Sequence, residues 1–125
     1  MAQAKKKILI IDDEENIGKM IKLNLEDDPD YEGILAMRGE AGVECVKKDK
    51  PALVLCDIMM PGMNGLETLK RIKEIAPELP VAMVTAVWDP DEARKCFEAG
   101  AYEYVTKPVD FEYLKRALFV KLFGV

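Results

Sequence analysis

Apolar positions along this chain follow two rhythms. Short continuous runs alternate with stretches in which apolar residues recur every three or four positions. "KILIID" reads as a buried strand. From Glu14 to about Asp27, the residues Ile17, Met20, Ile21 and Leu25 fall on one helical face. "YEGILAMR" is a second, weaker strand, and "GEAGVECVKKDK" a short helix stopped before Pro51. "ALVLCD" is a third strand, apolar until Asp57. The Pro and Gly content of "MMPGMNG" predicts a loop, with Met59, Met60 and Met63 packing locally. Leu66, Leu69, Ile72 and Ile75 mark the next helix, and "PVAMVTA" a fourth strand ending near Thr85. Ala93, Cys96, Phe97 and Gly100 share one face of a fourth helix. "AYEYVTKP" is a fifth strand, and Phe111 to about Phe123 a fifth helix.

Five strands alternating with five helices predict an α/β fold, a parallel sheet covered on both faces. No internal repeat or long linker interrupts the pattern, and 125 residues suit one domain. Half the residues are hydrophobic and a third charged, a globular composition. No apolar run approaches a membrane span, and the first is too short for a signal segment and ends in acids. A cytoplasmic protein with no membrane contact is expected. A net charge of −5 argues against direct nucleic-acid binding by this domain. Lys5, Lys6 and Lys7 read as a solubilising arm. Cys45, Cys56 and Cys96 are widely spaced, which predicts reduced, mostly buried thiols. The chain has no histidine, which excludes a mixed Cys/His zinc site, a Ser-His-Asp triad and a phosphohistidine.

One segment breaks the apolar logic. In "LIIDDEENI" a buried run surfaces into four carboxylates, Asp12 to Glu15. Two carboxylates about 4 Å apart repel by roughly 4 kcal/mol at an effective dielectric of about 20. Something must offset that. In a parallel sheet, ligands bind beyond the carboxyl ends of the strands. Those ends carry Asp12 and Asp13, then Asp57, Thr85 and Lys107. Three carboxylates suit a hard divalent cation such as Mg²⁺. The acids leave no glycine-rich phosphate cradle after the first strand. A carboxylate can itself accept a phosphoryl group, and Asp57, alone at its strand end, is the best-placed nucleophile. Lys107 supplies a point charge and Thr85 a hydroxyl donor.

The acidic pair in "IIDDEEN", the block "LVLCDIMMPGMNGLETLKRIK", the step "VTA" and "GAYEYVTKP" together resemble the receiver domain of two-component response regulators. The resemblance runs from Lys6 to about Leu122. It implies a flavodoxin-like three-layer αβα sandwich with strand order 2-1-3-4-5. It implies that Asp57 is the phosphoacceptor, that Asp12, Asp13, Asp57 and the Met59 backbone carbonyl hold Mg²⁺, and that Thr85 and Lys107 contact the phosphoryl group. Tyr104 matches the family's switch aromatic, which turns inward as Thr85 is drawn toward the phosphoryl group. The Lys107–Pro108 bond is often cis in the family. The partners implied are a sensor histidine kinase or phosphotransfer protein and a downstream effector or missing output domain. Residues 1–125 then form one receiver domain, with its core at about 6–122 and no output domain in the chain. The apolar end of the last helix leans toward a receiver cut from a longer protein.

Blander explanations stand beside these. Glu14 and Glu15 suit the first turn of a helix through its dipole. Asp13 alone is a helix cap, Thr85 a strand threonine, Lys107 a surface lysine and Tyr104 plain packing. Trp88 stands where the family commonly has a smaller residue, as a partner anchor or a lid over apolar surface. In the last helix, Leu114, Leu118 and Leu122 suit the core, whereas Phe119, Val120 and Phe123 point elsewhere and fit a homodimer contact. Met59 and Val87 occupy positions that modulate phospho-aspartate hydrolysis in the family. Both are apolar here, which predicts slow self-dephosphorylation. A phosphorylation-independent interaction module is the alternative function. A Mg²⁺-dependent phosphohydrolase is disfavoured because the position of its second acid holds Met59. The chain is thus expected to promote only its own phosphorylation and dephosphorylation, not to act as an enzyme on other substrates.

Overall fold

The computed structural model describes residues 5–86 and 88–124. Five strands and five helices alternate: β1 (Lys6–Ile11), α1 (Glu15–Glu26), β2 (Tyr31–Ala36), α2 (Gly39–Asp49), β3 (Leu53–Asp57), α3 (Gly65–Ile75), β4 (Val81–Thr85), α4 (Pro90–Glu98), β5 (Glu103–Thr106) and α5 (Phe111–Phe123). All strand pairs are parallel, in the order β2-β1-β3-β4-β5. The expected architecture is therefore present.

The continuous apolar runs are explained by burial on both faces of the sheet. Alternate side chains of one strand point to opposite sides. Leu9 and Ile11 join Val54 and Cys56 in a core closed by Val43 and Val46 of α2, Leu69 and Ile72 of α3, and Cys96 of α4. Ile8 and Ile10 join Leu53 and Leu55 in the opposite core, under Ile21 and Leu25 of α1 and Leu114 and Leu118 of α5.

Several residues depart from the helical faces expected of them. Ile17, Ile21 and Leu25 form the inward stripe of α1, and Met20 lies on its flank, exposed. In α4, Ala93 and Cys96 face inward while Phe97 is exposed. Gly100 follows the helix with φ +109°, a left-handed turn that glycine adopts without strain. Ile75, at the end of α3, is also exposed. In α5, Leu114 and Leu118 are buried and Phe119 and Val120 face outward. Phe123 instead packs inward, its ring 6.5 Å from that of Tyr31. Cys56 and Cys96 are buried free thiols, and Cys45 is half-buried.

Candidate functional site

The sheet register builds the site. Ile11 pairs with Cys56, so the residues that follow, Asp12 and Asp57, emerge side by side where the strand order reverses. Thr85 pairs with Thr106, and the Lys107 N–H donates to the Thr85 carbonyl at 2.7 Å. Residues 95 positions apart in sequence are thereby brought to one edge. The Lys107–Pro108 peptide is cis.

Asp12, Asp57 and Thr85 are each no more than 3% exposed. Asp12 Oδ1 accepts the Glu14 N–H at 2.9 Å, and Asp57 Oδ1 accepts the Met59 N–H at 3.3 Å. The Lys107 ammonium sits among three carboxylates: Asp12 Oδ2 at 3.0 Å, Glu14 Oε1 at 3.3 Å and Asp57 Oδ2 at 3.5 Å. Burial and the neighbouring Asp12 charge push the Asp57 carboxyl up to about 6, against the pull of Lys107 and the Met59 N–H. Burial alone lowers the pKa of Lys107. Its hydrogen bond to Asp12, with the Asp57 and Asp12 charges and the Glu14 bond, outweighs that and holds it above the ordinary lysine value.

Asp12, Asp13 and Asp57 each present a carboxylate oxygen, all within 4.8 Å of one another. This donor set, hard oxygens with surplus negative charge, fits a divalent cation that keeps part of its water shell. Asp13 is not a helix cap: Glu14 occupies the N-cap of α1. Met59 follows Asp57 with its side chain exposed, while Met60 is buried and Met63 packs on the core. The α3 end of this loop is held close to Asp57. Gly65 donates to the Ile58 carbonyl at 2.8 Å, and a Cβ there would collide with the Asp57 carbonyl oxygen and Ile58 Cα.

Thr85 lies beside a cavity of about 570 Å³ lined also by Ile58, Met60, Asn64, Glu92 and Tyr104. Tyr104 is half-buried, and the Trp88 ring meets its ring edge-on at 5.4 Å and 81°. Trp88 therefore covers Tyr104 while remaining largely exposed. Val87 lies outside the described residues. Two features were not anticipated from sequence: the Glu14–Lys107 ion pair and the Trp88–Tyr104 contact. Glu14 is 93 positions from Lys107, and the helix dipole already accounted for an acid there.

The response regulator receiver domain family matches residues 8–119. The alkaline phosphatase synthesis transcriptional regulatory protein PhoP of Bacillus subtilis is 36% identical over 103 residues, 82% of this chain and 42% of that protein. Sporulation initiation phosphotransferase F of Bacillus subtilis is 34% identical over 112 residues, 90% of each chain. A CheY-like receiver domain protein from Methanospirillum hungatei superposes with a TM-score of 0.91 at 30% identity, covering 97% of this chain and 96% of that one. The fold and the strand-end site define a signalling receiver. The chain belongs to the response regulator receiver domain family of two-component systems. It spans less than half the length of transcriptional regulators such as PhoP. No helix among the described residues is long and apolar enough to cross a membrane.

Proposed function

We propose that residues 1–125 act as one receiver unit that accepts a phosphoryl group on Asp57 and changes its surface in response. The observation that carries this is the position of Asp57. It is buried at the switch point, beside a lysine ammonium and inside a trio of aspartates. The donor is a phosphohistidine on a sensor histidine kinase or phosphotransfer protein. An Asp57 carboxylate oxygen attacks phosphorus, the phosphorus–nitrogen bond breaks, and the imidazole nitrogen leaves with the electron pair. Asp12, Asp13, Asp57 and the Met59 carbonyl would hold Mg²⁺, which when bound neutralises charge on the carboxylates and the incoming oxygens. Lys107 pairs with a phosphoryl oxygen, and the Thr85 hydroxyl donates to another.

Phosphorylation replaces one negative charge with nearly two and adds acceptor oxygens. Thr85 is drawn toward them, and Tyr104 turns into the cavity beside it. The surface of α4, β5 and α5 changes as a result, for an effector or an output domain outside these residues. A cytoplasmic location follows from that donor. The test is intact mass after incubation with acetyl phosphate and Mg²⁺. One added phosphate is expected, and it should be absent in Asp57→Asn and without metal. No adduct, with Mg²⁺ also failing to raise thermal stability, would favour a phosphorylation-independent interaction module.

A further inference from the structure

An ammonium group has three N–H donors. In Lys107 all three have a carboxylate within reach: Asp12, Glu14 and Asp57. Two of these, Asp12 and Asp57, belong also to the trio suited to a divalent cation. Glu14 does not belong to that trio. Its side chain stands at the rim, 61% exposed, whereas that of Lys107 is 12% exposed. Asp12 and Asp57 therefore have two competing claimants, a dication and the lysine, and the two cations repel each other.

The backbones on both sides are fixed. Lys107 is tied to the Thr85 carbonyl, and the Glu14 N–H to Asp12 Oδ1. What remains free to shift is the long lysine side chain, and Glu14 is the acceptor that leads outward. The next acid, Glu15, is paired instead with Lys19 at 2.6 Å. We infer that Glu14 is a positioning residue: it holds the Lys107 ammonium at the rim when a divalent cation takes Asp12 and Asp57. The lysine then yields those oxygens yet stays where an anionic phosphoryl group enters. This rests on the metal-assisted phosphoacceptor reading above and assigns a role within it to a residue outside the metal trio.

The test is calorimetric titration of the whole chain with MgCl2. Wild type is compared with Glu14→Gln, Glu14→Asp, Lys107→Gln, and Glu14→Gln combined with Lys107→Gln. Both Glu14 single variants are expected to weaken Mg²⁺ about two- to fivefold, the range of a partly exposed ion pair. Aspartate keeps the charge but is one methylene too short to reach the ammonium. In the Lys107→Gln background, Glu14→Gln is expected to cost less than it does in wild type. Urea midpoints without metal should be nearly unmoved by the Glu14 changes, which separates positioning from folding. The inference is overturned if Glu14→Asp binds like wild type, because charge alone then suffices. It is also overturned if the Glu14→Gln loss persists in full without Lys107. Should Lys107→Gln fail to fold, the Glu14→Asp comparison decides. Wild type that takes up no Mg²⁺ would sink the metal reading itself; wild type that binds, with Glu14→Gln its equal, would sink this inference alone.

Discussion

Asp57→Asn is expected to make the metal-free protein more stable, not less. The Asp57 carboxyl is 3% exposed and pushed from 3.8 up to about 6 by burial and by Asp12. The folded state thus binds the proton more tightly than the unfolded state does. Above pH 6 the ionised carboxylate destabilises the fold in full. As pH falls from 6 toward 3.8 the penalty fades, and below 3.8 it is gone. Two pKa units at about 1.36 kcal/mol each give about 3 kcal/mol. Asparagine keeps the shape and the oxygen that accepts the Met59 N–H, and it removes the charge. The favourable Lys107 contact is already included in the net shift.

Urea unfolding in EDTA at pH 7.5 should therefore show a higher midpoint for the variant, with an unchanged slope. At pH 4 the two curves should nearly coincide, because the remaining carboxylates titrate in both proteins. Mg²⁺ then narrows the gap. At 100 times its dissociation constant a ligand adds about 2.7 kcal/mol, and the variant, with one ligand changed, gains less. A wild type as stable as Asp57→Asn at pH 7.5, or a difference independent of pH, would refute the reasoning that the site is electrostatically strained.

Four further outcomes are expected. Trp88→Ala removes an edge-on aromatic contact worth about 0.5–1.5 kcal/mol and should release Tyr104, raising the rate of phosphorylation by acetyl phosphate about two- to tenfold by that energy. An unchanged rate with lowered stability would make Tyr104 plain packing, and unchanged partner affinity would remove Trp88 as an anchor. Tyr31→Phe should raise the urea stability by about 1 kcal/mol, since the Tyr31 hydroxyl is buried without a hydrogen-bond partner. Gly65→Ala, which places a Cβ against the Asp57 and Ile58 backbone, should cost about 2–3 kcal/mol and slow adduct formation, read by urea unfolding and intact mass. Met59→Asn should shorten the lifetime of the Asp57 adduct, followed by intact mass, because asparagine can orient water where methionine cannot.

The backbone architecture was legible because β-strands buried on both faces leave uninterrupted apolar runs. "KILIID" and "ALVLCD" could hardly be anything else between amphipathic stretches. Boundaries were less legible. "YEGILAMR" carries Met37 past its last ladder pair, Ala36, and "AYEYVTKP" carries Ala101 and Tyr102 ahead of its first, Glu103; where pairing starts and stops is set by the neighbouring strands. Spacing gives a helical face but not its width, so it puts Met20 and Phe97 inward where the structure exposes them. The strand-end residues were legible because topology collects them. Their partners were not. Glu14 meets Lys107 only through the turn after β1 and the end of β5, and no local pattern encodes that meeting. Trp88 was conspicuous in sequence, but what it covers depends on where Tyr104 stands after folding.

On the proposed phosphoacceptor reading, the charges at the site also imply an order of events. Above about pH 6, four carboxylates (Asp12, Asp13, Glu14 and Asp57) face one ammonium, so three negative charges are uncompensated. A phosphoryl group approaching that surplus would be repelled, and attack by Asp57 would concentrate more charge beside Asp12. With a dication held by the three aspartates the surplus falls to one. Phosphorylation would then restore about one charge and bring oxygens that Lys107 could pair with on leaving Asp57. Cation first, phosphoryl second is thus the sequence in which the incoming phosphoryl group meets the smaller negative surplus. Removing the Glu14 charge by itself weakens the attraction of a dication to the site; the part of the loss that belongs to positioning is the part Glu14→Asp shares while keeping the charge, and that part vanishes without Lys107.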